Sequence, residues 1–176
     1  MNGVPARIRT ALTMGIDRQM LVTEAAIRLL LARLVLAFVP FARLAAAWGP
    51  LIPPGDRYQP GVPATMRQRR VARRVRWAIA TAAPLMPFRA ACVQQAVAAR
   101  GMLERRGIPA VVHFGIGVGI GVGIEEGIGI ESGVGRGVGR GSLAAGHAWV
   151  DADGVQVTGF PLDPALIELG RFVRCP

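Results

Sequence analysis

The chain has 176 residues, a formal net charge of +10 and no lysine, so arginine carries all of its positive side-chain charge. This length fits one domain with a helical extension, enough to bury a core without staples, and it excludes two domains of full size. Two cysteines, Cys92 and Cys175, lie far apart in the sequence and exclude a disulfide framework, while the arginine surplus favours acidic partners.

With 52% hydrophobic residues, a tightly packed helical part or a membrane-proximal part is expected, and the most apolar run is Met20 to Val39. Glu24, Arg28 and Arg33 interrupt it, whereas a spanning helix needs roughly 20 mostly uncharged residues. The run is therefore read as a soluble helix, and no membrane contact is expected. No short apolar segment ends in a small-residue cleavage site, so the cytoplasm is the default compartment.

From about Arg18 to Ala47 the Leu- and Ala-rich pattern predicts a long helix, with Glu24 and Arg28 spaced for an i,i+4 ion pair and Pro40 set to kink or divide it. Gly49 to Pro63 is dense in Gly and Pro and reads as a linker. A second helix is expected from about Thr65 to Ala82, with Val71, Val75, Ala78 and Ile79 on one stripe. Arg67, Arg69, Arg70, Arg73, Arg74 and Arg76 crowd its other faces, as a solvated surface or as a dock for an acidic peptide or protein. No aromatic residues interleave with them as a nucleic-acid surface requires, so nucleic acid is not an expected partner.

Pro84 and Pro87 break the chain before a third helix from about Arg89 to Arg106, which carries Cys92 in its first turn and stops at Gly107. A strand is expected over Ala110 to Gly115. Two more, His147 to Ala152 and Val155 to Phe160, are joined by the hairpin pair Asp153-Gly154. Between the first strand and His147, residues 115–141 form a Gly-rich insert alternating with Val, Ile and Arg. A short helix near Pro164 to Phe172 is expected to close the chain. The order predicts an α+β fold in which a helix packs on a small antiparallel sheet. Residues 1–63 form the N-terminal helical region and linker, and 64–176 the core.

The insert is no phosphate loop, because such a loop needs a lysine after its glycines. Two histidines and two dispersed cysteines give no metal-ligand spacing, so neither metal nor other cofactor is expected. Cys92 is the chemically suggestive residue. Amides in a first helical turn lack intrahelical acceptors, favour a thiolate and can hold an oxyanion. His147, at the start of its strand, is the candidate base that takes the thiol proton and returns it to a leaving amine. His113 is the competing base, Trp149 a core residue or cleft wall, and Cys175 an incidental thiol near the chain end.

Pro87-Phe88-Arg89-Ala90-Ala91-Cys92, then Met102 to Ala110, His147-Ala148-Trp149-Val150 and Val157-Thr158-Gly159-Phe160-Pro161 together resemble the leader peptidases of lasso-peptide biosynthesis, the microcin-processing type of transglutaminase-like cysteine protease. The resemblance covers most of the chain except the insert, and it implies a transglutaminase-like or papain-like core. It implies that a precursor peptide, presented by a small leader-recognition protein, is cut between leader and core before a lasso cyclase closes the ring. The family usually sets an aspartate on the strand after the histidine. Here Val157-Thr158-Gly159 offers no carboxylate, leaving Asp163 as the nearest downstream substitute and Asp151 on the histidine's own strand. Two other readings keep the same residues: a non-catalytic scaffold or peptide-binding partner in the same maturation pathway, and an acyltransferase using the same dyad.

Overall fold

A computed structural model describes residues 15–55, 64–117 and 145–173. Most of the Gly-rich insert and Cys175 lie outside the described residues. Helix α1 spans Ile16–Phe38 and α2 spans Phe41–Trp48. Pro40 separates them in extended backbone (φ −54°, ψ 135°), because its ring excludes the helical hydrogen bond that would have joined them. Helix α3, Met66–Ala82, starts at a reciprocal cap in which Thr65 Oγ1 accepts from Gln68 N–H at 3.2 Å and Gln68 Oε1 accepts from Thr65 N–H at 2.8 Å. Helix α4 is Cys92–Glu104.

The sheet contains β1 (Leu51–Ile52), β2 (Val111–Gly117), β3 (Ala145–Ala152), β4 (Val155–Thr158) and β5 (Leu166–Val173) in the order β1-β5-β2-β3-β4, every pair antiparallel. Asp153 (φ 48°) and Gly154 (φ 78°) make the tight turn between β3 and β4. The fold is therefore the expected α+β arrangement of helices on a small antiparallel sheet.

Two expectations are corrected. The C-terminal segment read as a helix near Pro164 to Phe172 is strand β5, hydrogen-bonded to β2 along one edge and to β1 along the other. Leu166, Leu169 and Glu168 favour a helix locally, but pairing on both edges outweighs that propensity. The expected linker from Gly49 contributes β1, a two-residue edge strand paired with β5.

One hydrophobic cluster joins Leu21 and Leu29 of α1 to Val75 and Ile79 of α3, Met102 and Leu103 of α4, and Val112, Val150, Val157 and Phe172 of the sheet. Each such large side chain contributes roughly 1.5–3 kcal/mol on burial. Alanines at 96, 98 and 99 keep α4 slim where it meets its neighbours, and Gly101 leaves room for the Arg28 guanidinium, 3.3 Å from where a Cβ would stand. Arg100 is 2% exposed; its Nη2 donates to Trp48 C=O at 3.0 Å and its Nε to Glu104 at 2.7 Å, tying α4 to the end of α2.

Glu24 fastens α1 to the far end of α4 by accepting from both terminal nitrogens of Arg106, with Arg105 beside it. The Arg106 hydrogen bond holds the Glu24 carboxyl below its ordinary range despite opposition from burial. A depressed carboxylate stabilises the fold above its unfolded pKa, and this contribution is lost as pH falls through the folded value. Glu24→Gln is therefore expected to cost about 1–3 kcal/mol at neutral pH. Its denaturation midpoint should converge with that of the parent below the carboxylate range, as read by urea melts across pH.

Candidate active site

Helix α4 begins at Cys92 itself, three residues later than expected, because Ala91 is extended (φ −63°, ψ 161°) and its N–H donates to Gln94 Oε1 at 3.0 Å. The nucleophile candidate thus occupies the first helical position, where backbone N–H groups are free of intrahelical acceptors. Strand β3 passes in front of it. Strand β4 pairs with β3 only between Val150 and Ala152, so among the described residues the edge of β3 over 146–148 carries no strand partner on that side. The Cys92 thiol takes that edge, with Sγ donating to Gly146 C=O at 3.9 Å and the Ala148 N–H directed at the sulfur.

His147 lies in the same stretch, its ring within hydrogen-bonding reach of the Cys92 sulfur. Its Nε2 is 2.7 Å from Gly159 C=O. A carbonyl only accepts, so Nε2 carries a proton in either charge state. That leaves Nδ1 of the neutral ring as the base that faces the thiol. Trp149 stacks against the ring at 6.0 Å between centroids, and His113 stacks on Trp149 at 5.2 Å.

The electrostatics of the pair are reciprocal. Burial pushes the Cys92 thiol up, but the His147 imidazole together with the N–H groups of Ala148 and Val93 pulls it further down, and it ends below its ordinary value. The hydrogen bond to Cys92 raises His147; burial opposes this, and the Gly159 carbonyl adds to the rise, so the imidazole ends above its ordinary value. Shifts of opposite sign on touching partners favour the thiolate–imidazolium form.

Gly159 owes its identity to this contact. Its φ is +80°, and a Cβ there would lie 2.5 Å from Ala148 C=O and 2.6 Å from Trp149 Cβ, so the chain after β4 runs directly against β3 and delivers its carbonyl to the ring.

The structure brings Cys92 and His147 together. Asp163 lies in the turn before β5, where its carboxylate accepts from Ala165 N–H at 2.8 Å, and the acceptor facing His147 Nε2 is the Gly159 carbonyl. Asp151 accepts from Gly154 N–H at 3.0 Å inside the hairpin. His113 is engaged by Glu168 at 2.9 Å. Sequence reasoning missed Gly159 because a backbone acceptor has no side-chain signature. Its trace was a glycine ending a strand and followed by Phe160-Pro161, which signals close backbone approach.

Two cavities bracket α4. One of about 560 Å³ is lined by Pro84, Met86, Pro87, Phe88 and Gln95, immediately before the nucleophile in the chain. The larger, about 1590 Å³, lies between α1, α3 and the opposite end of α4, away from the thiol.

Residues 35–119 match the transglutaminase-like superfamily. The matched segment starts near the end of α1 and carries Cys92, while His147 on β3 and Gly159 just after β4 lie beyond it. No curated protein and no solved structure matches the chain. Among the described residues no helix is long and apolar enough to cross a membrane, and no group of three or more His, Cys, Asp or Glu side chains is placed to hold a metal ion.

Proposed function

We propose that the chain is a cysteine peptidase that removes the leader from a ribosomally made lasso-peptide precursor. The observation that carries the chemical part is the Cys92 sulfur at a helix start, touching an imidazole whose remote nitrogen is held by the Gly159 carbonyl. The transglutaminase-like match supports the cysteine-peptidase chemistry, and the resemblance of the motifs around Cys92 and His147 is what suggests the pathway.

The Cys92 thiolate attacks the scissile carbonyl and forms a C–S bond, and the oxygen that gains the charge faces the unpaired amides of the first turn of α4. Imidazolium His147 passes its proton to the departing amine as the C–N bond breaks, leaving a thioester. Neutral His147 then takes a proton from water, the hydroxide adds, and the acid leaves as the thiolate returns. In this reading a small recognition protein presents the leader in the cytoplasm, and a cyclase receives the freed core.

The test is cleavage of the precursor by purified protein with its recognition partner, followed by mass spectrometry. Cys92→Ala is expected to abolish cleavage while leaving the thermal melt close to that of the parent. Cleavage at the parental rate by Cys92→Ala would overturn the proposal.

A further inference from the structure

We infer that the groove between α1 and α3 is a docking site for an acidic, amphipathic helix of a partner, remote from the thiol. One wall is apolar: Ile16, Met20, Ile27 and Leu31 of α1 recur at helical spacing, and Met20 and Ile27 are 67% and 54% exposed although they line a concavity. They lie opposite the face of α1 that enters the core through Leu21, Ala25 and Leu29. Uncharged side chains on that stripe gain by meeting another apolar face. The other wall is basic, for Arg67 and Arg74 project from α3 and form no ion pair among the described residues. In all, five arginines and two carboxylates line the groove, and one of the two, Glu24, is already neutralised by Arg105 and Arg106.

A groove with one apolar wall and one cationic wall fits a helix that has an apolar face flanked by carboxylates. The groove, of about 1590 Å³, is lined from both α1 and α3, which suits an inserted helix. The α1 wall from Ile16 to Leu31 is about 22 Å long at 1.5 Å per residue, or about four turns of partner helix. Cys92 and Arg105 lie about 20 Å apart along α4 by the same rise, so a segment held in the groove is not the segment at the thiol. The inference does not depend on the hydrolytic reading.

The probes are two fluorescein-labelled model peptides of about 18 residues, five helical turns, with one leucine face and a polar face of glutamate in the first and lysine in the second. Binding is followed by anisotropy on full-length Cys92→Ala, so failure of the chemistry and failure of docking stay separate. The glutamate peptide is expected to bind about tenfold more tightly than the lysine peptide, with affinity falling as salt rises. Arg67→Glu with Arg74→Glu should reverse that preference, Ile27→Asp should weaken the glutamate peptide, and Arg73→Glu should preserve it. Parental circular dichroism and melting of each variant keep the comparison valid. Equal binding of both peptides, or of neither, overturns the inference. So does preferential capture by phosphatidylglycerol vesicles, or a dimer of the parent that Ile27→Asp dissociates.

Discussion

Replacing His147 by alanine is expected to slow precursor cleavage by about 10²–10⁴-fold, the usual contribution of a positioned acid–base group, with the fold intact. The physical reason is that two functions are lost together. The ring holds the thiol below its ordinary value, and its proton is the one the leaving amine needs. The pH dependence carries a sign. The rate should rise with pH through the lowered Cys92 value, as thiolate forms, and fall as pH passes the raised His147 value, as the imidazolium is lost. In His147→Ala the acid limb should move upward, toward an ordinary thiol, and the alkaline limb should vanish. A variant that cleaves at the parental rate with an unmoved acid limb would show that His147 has no part in the chemistry.

The second large effect belongs to a residue without a side chain. Gly159→Ala places a methyl against Ala148 C=O and Trp149 and holds alanine at a φ of +80°, which by itself costs about 1–2 kcal/mol. The chain must retreat from β3, and the carbonyl that fixes the His147 tautomer retreats with it. Misplacement of a catalytic group by about 1 Å can cost on the order of a hundredfold in rate, and that is the expected loss in cleavage. Gly154→Ala is the control, because Gly154 also has a positive φ (+78°) but no atom within 4 Å of the added methyl. It should lower stability comparably, by roughly 2–8 °C in melting temperature, yet leave the cleavage rate near that of the parent. Asp163→Ala completes the comparison: its carboxylate serves Ala165 N–H, so its loss is expected to change the rate by no more than about twofold, against the roughly 10⁴-fold loss that follows removal of a true orienting carboxylate. Equal rates for Gly159→Ala and Gly154→Ala would remove the Gly159 carbonyl from the account.

The elements legible in the sequence were those whose signals are local. Pro40 marked the break between α1 and α2, the end of the Gly- and Pro-dense run at Pro63 marked the start of α3 near Thr65, and Asp153-Gly154 marked the β3–β4 turn. Strand β5 was hidden because Leu166, Leu169 and Glu168 carry helix propensity, while the pairing that decides their state comes from β2, some fifty residues away, and from β1. At the site, Cys92 and His147 could be singled out because thiol and imidazole are rare in this chain and each stood at an element's start. The third partner escaped for the opposite reason: the search was for a carboxylate, and the acceptor is main chain, presented by a glycine whose close approach to β3 only the fold reveals. The groove between α1 and α3 was half legible. The arginines of α3 stood out, but α1 is apolar on most sides, so nothing in its sequence separates the exposed stripe that faces the same concavity from the face that enters the core.

The most direct measurement is the pH dependence of iodoacetamide alkylation at Cys92 in the parent and in His147→Ala, followed by peptide mapping so that Cys175 is scored separately. A thiolate held by an imidazolium and the amides of Ala148 and Val93 predicts a midpoint for Cys92 clearly below the ordinary thiol value, moving upward when His147 is removed. A parental midpoint at or above the ordinary value, unmoved by His147→Ala, would contradict the account.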